Sequence, residues 1–376
     1  MTWSMRIMIA GGGTGGHVYP GITLAQTLKE LDPSHDILFV GTARGLEADV
    51  VPRTGFPLHT LTLSGIPRRL SWKMLLALFR AGRGMLETFK LLKTFNPDVV
   101  VGTGGYVCGP VVLSAALLGY PTLIHEQNAF PGMTNRILGR FVKRVCLGYE
   151  AAGRFFPKAK VKTVGNPIRR EIGLVPRQEA AKRLQVSPAR PTMLVFGASQ
   201  GARSINQALL DSLPRLLRHR ELQVIWVTGA ADHGRIMEEW QKVAVDNREA
   251  VRIWPYLHNM PDAFAVADWV ISRAGAISLA EITRQGLPAI LVPYPYATGD
   301  HQTWNAKVLA DAGAAWVVPD SQFNGDILTE QVDKLMASPE LRAAMAAASR
   351  GLSRPEAATD LAAEVLALGT SHKSRK

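Results

Sequence analysis

Short apolar runs alternate along this chain with longer stretches in which apolar residues recur at helical spacing. Runs at Arg6–Ala10, Ile37–Val40, Val99–Val101, Thr122–Ile124 and Val145–Leu147 predict strands, with helices between most of them. The series begins again with Thr192–Phe196, Gln223–Val227, Val251–Trp254, Trp269–Ser272 and Ala289–Val292. Continuous apolar runs bounded by turn residues fit strands buried on both faces, and their alternation with helices predicts parallel sheets of βαβ units. Two such series predict an α/β chain of two doubly wound, Rossmann-like domains.

The turn-rich joint Gly165-Asn166-Pro167-Ile168-Arg169-Arg170, followed by Pro176, separates the two series. It sets the expected domains at residues 1–165 and 166–350, with a tail helix over 353–368 packing back on the first. Ligands of open α/β sheets sit beyond the carboxyl ends of the strands, so two facing domains are expected to enclose two substrates in a cleft.

Composition narrows this picture without redirecting it. A 376-residue chain that is 47% hydrophobic and 20% charged is globular and long enough for two cores. Residues 99–124 contain no Asp, Glu, Lys or Arg and could be mistaken for a membrane span. Gly102, Gly104, Gly105, Gly109, Pro110, Gly119 and Pro121 divide that stretch into strand, turn, helix, turn and strand. Cys108 and Cys146 stand far apart, which suggests neither a disulfide framework nor a zinc site and fits a reducing cytoplasm. The first residues show no secretory signal.

Charge is unevenly placed. Of the formal net +12, residues 1–165 contribute +10, from 19 Lys and Arg against 9 Asp and Glu. A cationic first half suits a polyanion or an anionic membrane surface. Within it, residues 66–95 carry Arg68, Arg69, Lys73, Arg80, Arg83, Lys90 and Lys93 among large apolar residues, against the single acid Glu87. Leu70, Trp72, Lys73, Leu75, Leu76, Phe79 and Arg80 are the expected contacts to an anionic leaflet. An amphipathic helix covering the first sheet is the alternative. No recognition motif or aromatic platform supports nucleic acid.

Three glycine loops follow strands and precede helices, where backbone N–H groups and a helix N-terminus can cradle phosphate. They are Gly11 to His17, Gly102 to Tyr106, and Gly197 to Arg203. The first satisfies GxGxxG, but the second strand ends Phe39-Val40-Gly41-Thr42-Ala43-Arg44, without the carboxylate that would hold a dinucleotide ribose. Arg44 keeps a 2′-phosphate cofactor, and hence an NADP-linked oxidoreductase, among the alternatives. Glycines that merely permit tight turns explain any one loop. Three equivalent loops point instead to a substrate pair carrying two diphosphates.

The motifs Gly12 to Val18, Gly104-Gly105-Tyr106, His125-Glu126-Gln127-Asn128, Gly165 to Arg169, Ser199 to Ala202, Gly275 to Glu281 and Gln302 to Asn305 occur in that order. Together they resemble the MurG-type UDP-N-acetylglucosamine:undecaprenyl-pyrophosphoryl-N-acetylmuramyl-pentapeptide N-acetylglucosaminyltransferases of peptidoglycan synthesis, over nearly the whole chain. The resemblance implies a GT-B fold, an inverting transfer without metal or other cofactor, and a peripheral site of action on the cytoplasmic face of the inner membrane. Its implied partners are UDP-N-acetylglucosamine, the undecaprenyl-linked muramyl-pentapeptide and proteins of cell-wall synthesis. The sequence agrees about metal in having no Asp-x-Asp after a strand to hold Mg²⁺ on a diphosphate. Other GT-B transferases, and a membrane-bound scaffold that senses a nucleotide sugar, are the remaining alternatives.

Carried over residue by residue, the resemblance places Ser199 at the UDP phosphates, Arg169 and the backbone of Leu257 at the uracil, and Glu281 at the ribose. It places Ala276, Ile277, Ser278, Leu279 and Ala280 at the diphosphate and sugar, and Gln302 and Asn128 at the sugar hydroxyls. Thr14, Gly15 and Gly16 also belong to the donor set, whereas Gly13, Gly104, Gly105 and Tyr106 receive the acceptor diphosphate. Taken alone, Glu281 is equally a solvent-facing helix carboxylate. Transfer requires a sugar hydroxyl to lose its proton, for which His17 and Glu126 are the candidates. His17, at a helix N-terminus, is suited either to accept that proton or to donate to the diphosphate. Glu126 is the second candidate base, or a carboxylate that orients His125 or Asn128.

Overall fold

A computed structural model describes residues 4–62, 72–197 and 201–373, with the side chains of 72–83 and 372–373 outside the described set. Contacts divide the chain into two units, Met1–Ile168 with Pro355–Lys376, and Arg169–Arg354.

The first unit runs β1 (Arg6–Gly11), α1 (Gly15–Leu31), β2 (Asp36–Thr42), α2 (Leu46–Arg53), β3 (Leu58–Leu61), α3 (Trp72–Phe95) and β4 (Val99–Gly104). It continues with α4 (Cys108–Leu117), β5 (Thr122–Glu126), α5 (Met133–Leu138), β6 (Arg144–Leu147) and β7 (Val161–Thr163). All pairings are parallel, in the order β3-β2-β1-β4-β5-β6-β7. Successive residues of β1 serve opposite faces, as the two-residue period of a strand requires. Ile7 and Ile9 pack with Leu24 and Leu28 of α1, and Met8 and Ala10 with Val111 and Val112 of α4.

The second unit runs α6 (Arg177–Leu184), β8 (Thr192–Phe196), α7 (Arg203–Leu216), β9 (Gln223–Val227), α8 (Ala230–Lys242), β10 (Val251–Trp254) and α9 (Met260–Val266). It continues with β11 (Trp269–Ser272), α10 (Ala276–Gln285), β12 (Ala289–Leu291), α11 (His301–Asp311), β13 (Ala315–Val317), α12 (Gly325–Ala337) and α13 (Pro339–Gly351). Its sheet is also parallel, in the order β10-β9-β8-β11-β12-β13. Trp226 and Trp269 are wholly buried in its core.

The last helix, α14 (Ala357–Lys373), belongs to the first unit, where Leu361, Ala362 and Val365 join the core beside α1. Glu364 on that helix pairs with Arg144 of β6 and Lys162 of β7, at 2.9 and 2.6 Å. No described helix is long and apolar enough to cross a membrane. Each sheet reverses its winding once, between β1 and β4 in the first unit and between β8 and β11 in the second. Crevices at such reversals, beyond the carboxyl ends of the strands, are where open α/β sheets bind ligands.

Candidate functional site

At the reversal in the first unit the loops after β1 and β4 interlock, and glycine is what lets them. The register of β1 against β4 shifts between Ala10 and Gly11, so Gly11 pairs with Gly104 and Thr103 is bulged out. A Cβ on Gly11 would lie 2.1 Å from the Thr103 hydroxyl, and one on Gly105, whose φ is +83°, would lie 2.3 Å from the Gly12 carbonyl. The Thr103 hydroxyl donates to the His17 carbonyl at 2.8 Å. Cys108 Sγ receives the Gly104 N–H at 3.0 Å and donates to the Ala10 carbonyl at 2.9 Å. Burial pushes this thiol up to about 12, so it stays protonated as a structural donor.

The half-buried His17 lies against Gly104, whose φ is +112° and whose added Cβ would fall 2.5 Å from His17 Cδ2. Its Nδ1 is 3.2 Å from the Gly12 carbonyl. A carbonyl only accepts, so Nδ1 carries a proton; the Thr14 hydroxyl, 3.3 Å from the same nitrogen, then accepts, and in a neutral ring Nε2 is the acceptor nitrogen. The Gly13 N–H, expected at the acceptor diphosphate, donates instead to Glu47 Oε2 at 2.8 Å. What Gly13 itself supplies is a φ of +89°, a conformation glycine adopts without strain.

Glu47 is a carboxylate at these loops that the sequence reading missed. It is buried, on the first turn of α2, and its Oε1 accepts from the Thr42 N–H and hydroxyl at 2.9 and 2.8 Å. The Tyr106 hydroxyl donates to Thr42 Oγ1 at 3.3 Å, which ties in the β4 loop. A carboxylate thus does stand just beyond β2, but both of its oxygens are engaged within the protein. The signal in the sequence was an acid five positions past Thr42, where a search confined to the strand end does not reach.

At the end of β5, Glu126 is buried with four donors on its two oxygens. Asn128 N and Nδ2 reach Oε1 at 2.9 and 3.1 Å, and Gly132 N and Asn135 Nδ2 reach Oε2 at 3.1 and 2.9 Å. Burial pushes its carboxyl above the usual range, against the pull of these donors. The arrangement makes Glu126 the organiser of the 127–132 loop and of Asn128. His125 is fully buried, with Nε2 donating to the Gly165 carbonyl at 2.9 Å and Nδ1 accepting from Gln127 Nε2 at 3.1 Å. Gln127 also donates to the Thr103 carbonyl at 2.7 Å, and Asn166 Nδ2 donates to the Gln127 carbonyl at 3.0 Å. The His-Glu-Gln-Asn motif therefore knits the β4 loop to the Gly165-Asn166 segment.

At the reversal in the second unit, Gly201 at φ +79° approaches β9 so closely that a Cβ would lie 2.3 Å from the Thr228 carbonyl. Ser199, between it and β8, lies outside the described residues. Helix α10 starts at Ala276 with no side-chain cap, so its first N–H groups and positive dipole end are presented to whatever lies beyond β11. Ile277, Ser278 and Ala280 are half-buried along it, while Ala276 and Leu279 are buried.

Arg169 and Glu281, both assigned to the donor by the resemblance, are brought together. Arg169 Nε and Nη2 both reach Glu281 Oε1 at 2.8 Å. Glu281 is only 5% exposed, so it does not face solvent, and burial pushes its carboxyl up against the guanidinium's opposing pull. Gln302 Oε1 accepts from Ala274 N and Tyr294 N at 3.1 and 2.9 Å, which fixes its amide beside the α10 start. Arg273, also missed from sequence, is buried and reaches the carbonyls of Val292 and Pro293, Asp320 and Ser204. Leu257 sits half-buried in the loop after β10.

Of the expected membrane contacts, Leu70 lies outside the described residues, as do the side chains of Trp72, Lys73, Leu75, Leu76, Phe79 and Arg80 on α3. A patch that the sequence reading passed over is described. Leu117 at the end of α4, Met133 and Ile137 on α5, and Phe141 just after it are 48–66% exposed, with Arg140 and Lys143 also exposed.

The comparisons agree with this geometry. Residues 7–147 match the glycosyltransferase family 28 N-terminal domain, and residues 192–363 match the C-terminal domain of the same family. A UDP-N-acetylglucosamine–N-acetylmuramyl-(pentapeptide) pyrophosphoryl-undecaprenol N-acetylglucosamine transferase of Desulforamulus reducens is 46% identical over 95% of this chain and 97% of its own length. Its counterpart in Moorella thermoacetica is 47% identical over 94% of this chain and 96% of its own. The crystal structure of Acinetobacter baumannii MurG superposes with a TM-score of 0.77 at 28% identity, covering 96% of this chain and 99% of that one. The two doubly wound units are those of the GT-B fold. The chain belongs to glycosyltransferase family 28 and, within it, to the UDP-N-acetylglucosamine–N-acetylmuramyl-(pentapeptide) pyrophosphoryl-undecaprenol N-acetylglucosamine transferases.

Proposed function

We propose that this protein transfers N-acetylglucosamine from UDP-N-acetylglucosamine to the muramyl sugar of undecaprenyl-pyrophosphoryl-N-acetylmuramyl-pentapeptide, with inversion, converting lipid I to lipid II. The observation that carries the mechanism is the state of His17, held by the Gly12 carbonyl with Nδ1 protonated and Nε2 beside Gly104 as acceptor. Nε2 takes the proton of the attacking hydroxyl while UDP departs. Glu126, with four donors on its carboxylate, orients Asn128 and is not the base.

On the donor side, the α10 N-terminus meets the charge that develops on the leaving diphosphate, aided by Ser199. Arg169 and the Leu257 backbone hold the uracil, Glu281 the ribose, and Gln302 with Asn128 the sugar hydroxyls. The Thr14-Gly15-Gly16 turn adds donor contacts. Gly13, Gly104, Gly105 and Tyr106 shape the acceptor loop. The first unit serves the acceptor and the membrane, and the second the UDP-sugar. Docking on the cytoplasmic leaflet uses the basic α3 segment together with Leu117, Ile137, Phe141, Arg140 and Lys143, whose exposure supports that reading.

The test is incubation of the whole chain with UDP-N-acetylglucosamine and a lipid-linked muramyl-peptide analogue. UDP release matched by sugar incorporation is expected. His17→Ala should lower kcat by about 10²–10⁴ and abolish the acid limb of its pH profile. UDP release without incorporation would refute the acceptor assignment, and an intact acid limb would refute His17 as base.

A further inference from the structure

The Gly12–Gly13 peptide is gripped at both of its polar ends. Its N–H, on Gly13, donates to Glu47 Oε2 at 2.8 Å, and its C=O, on Gly12, accepts from His17 Nδ1 at 3.2 Å. The two bonds lie on one planar, conjugated amide. A carboxylate that pulls on the N–H of an amide increases the negative charge on its oxygen, so hydrogen bonds in such a chain strengthen one another.

We infer that Glu47 is a positioning residue for the transfer reaction, acting on His17 through the Gly12–Gly13 peptide. In carboxylate–histidine pairs the acid bonds Nδ1–H directly, fixing the tautomer and supporting the imidazolium that forms. Here one peptide unit stands between them and transmits both effects. Glu47 fixes the Nδ1–H tautomer, keeps Nε2 as the basic nitrogen, and stabilises the ring once it has taken a proton.

The packing around this chain favours transmission over flexibility. Glu47 is buried, and its second oxygen is fixed by the Thr42 N–H and hydroxyl at 2.9 and 2.8 Å. A Cβ on Gly12 would lie 2.4 Å from Glu47 Oε1, and one on Gly105 would lie 2.3 Å from the Gly12 carbonyl, so the peptide has little room to turn. The surrounding elements also carry Tyr19 of α1, Arg44, Asp49 and Arg53 before and along α2, Tyr106 and Cys108 of the β4–α4 region, and His125 and Glu126 of β5, where His125 is held by Gly165 and Gln127. Cys108 is a protonated donor, its thiol pushed up to about 12 by burial, and Glu126 is occupied by its own loop. The Glu47 hydrogen bond leads to the His17 ring through a single peptide.

The catalytic half of this inference rests on His17 being the base, whereas the tautomer does not. The experiment therefore reads both, on the whole chain, in Glu47→Gln, Glu47→Asp and Thr42→Val. ¹⁵N NMR of the His17 ring, assigned with His17→Gln, reports tautomer and pKa without substrate. Glu47→Gln should mix the tautomers and lower the His17 pKa by about one pH unit. It should also lower kcat about tenfold, with the acid limb of kcat moving to lower pH by the same amount and KM for UDP-N-acetylglucosamine unchanged. Thr42→Val, which leaves the Gly13 bond in place, should retain the tautomer. Glu47→Asp should restore it in part. A His17 ring that titrates identically, with the same tautomer, in wild type and Glu47→Gln would overturn the inference. A shifted ring with an unmoved acid limb would retain the relay and remove His17 as base.

Discussion

Acid sensitivity of the first unit can be worked out from one residue. His125 is fully buried, its Nε2–H on the Gly165 carbonyl and its Nδ1 on Gln127, and burial lowers it from the ordinary 6.5 to about 4. In the folded chain the ring therefore stays neutral well below the pH at which the unfolded chain takes up a proton. The unfolded state then binds more protons, so stability is lost as pH falls from about 6.5 towards about 4. The full shift corresponds to about 3 kcal/mol, of which about 2 kcal/mol falls between about pH 7.5 and about pH 5.

The perturbation is His125→Gln, which keeps a hydrogen-bonding side chain and removes the titration. It should be less stable than wild type at neutral pH but should lose about 2 kcal/mol less on acidification. Urea unfolding at the two pH values measures this if the two units are told apart. Six of the eight tryptophans, Trp226, Trp240, Trp254, Trp269, Trp304 and Trp316, belong to the second unit and Trp3 and Trp72 to the first, so fluorescence is weighted towards the second unit while circular dichroism contains both. Glu126, whose raised carboxyl acts in the opposite sense, is present in both proteins and cancels to first order. Equal losses of stability in wild type and His125→Gln would refute the reasoning.

Three further outcomes follow from the site geometry. Glu126→Gln places an NH₂ against one pair of donors; because Asn135 Oδ1 has no hydrogen bond, that amide can turn to accept, and the cost should be about 1–3 kcal/mol in urea unfolding, with the acid limb of kcat retained. Gln302→Ala removes the acceptor for Ala274 N and Tyr294 N and the proposed sugar contact, and should raise KM for UDP-N-acetylglucosamine about tenfold in steady-state kinetics. Ile137→Ser with Phe141→Ser should weaken co-sedimentation with anionic vesicles by at least about tenfold while leaving turnover of a short-chain acceptor unchanged, since each buried side chain contributes about 1.5–3 kcal/mol.

The central strands were legible because both faces are buried and their apolar runs are continuous. β8, β9, β10 and β11 have the boundaries that the apolar pattern predicts, and β1, β2, β4, β5 and β6 contain the predicted runs and extend them by one to three residues. The strands that pattern did not reveal, β3, β7 and β13, all lie at sheet edges. Their residues are partly exposed and their lengths are 4, 3 and 3 residues; β3 and β7 carry polar residues within them, and the apolar run Ala314–Val318 around β13 is short. The glycine loops were visible as motifs, but what each glycine does was not. Gly11 and Gly105 exist for the close approach of two loops, and Gly13 for its backbone angle, with its N–H already taken. Glu47 and Arg273 escaped because their roles depend on contacts with loops distant in sequence. Arg169 and Glu281 are 112 positions apart, and resemblance rather than spacing put both in one set.

Two buried carboxylates stand beside loops expected to receive anions, where their charge would repel the ligand. Glu47 and Glu126 accept three and four hydrogen bonds respectively, mostly from the backbone and amides of their own loops. Glycine-rich segments lose more conformational freedom on ordering than any others, and these acids supply the fixed partners that hold them before a ligand arrives. Their charge is partly compensated where it sits, while the attraction for an anionic acceptor comes from elsewhere, in the net +10 of residues 1–165. Loop shape and anion capture are thereby assigned to different residues. Glu47 fixes the backbone to which His17 is bound, Glu126 fixes the 127–132 loop, and the dispersed Lys and Arg side chains provide the field. A loop held by a cation instead would lose its shape whenever a diphosphate competed for that cation; one held by a buried acid has no such competitor.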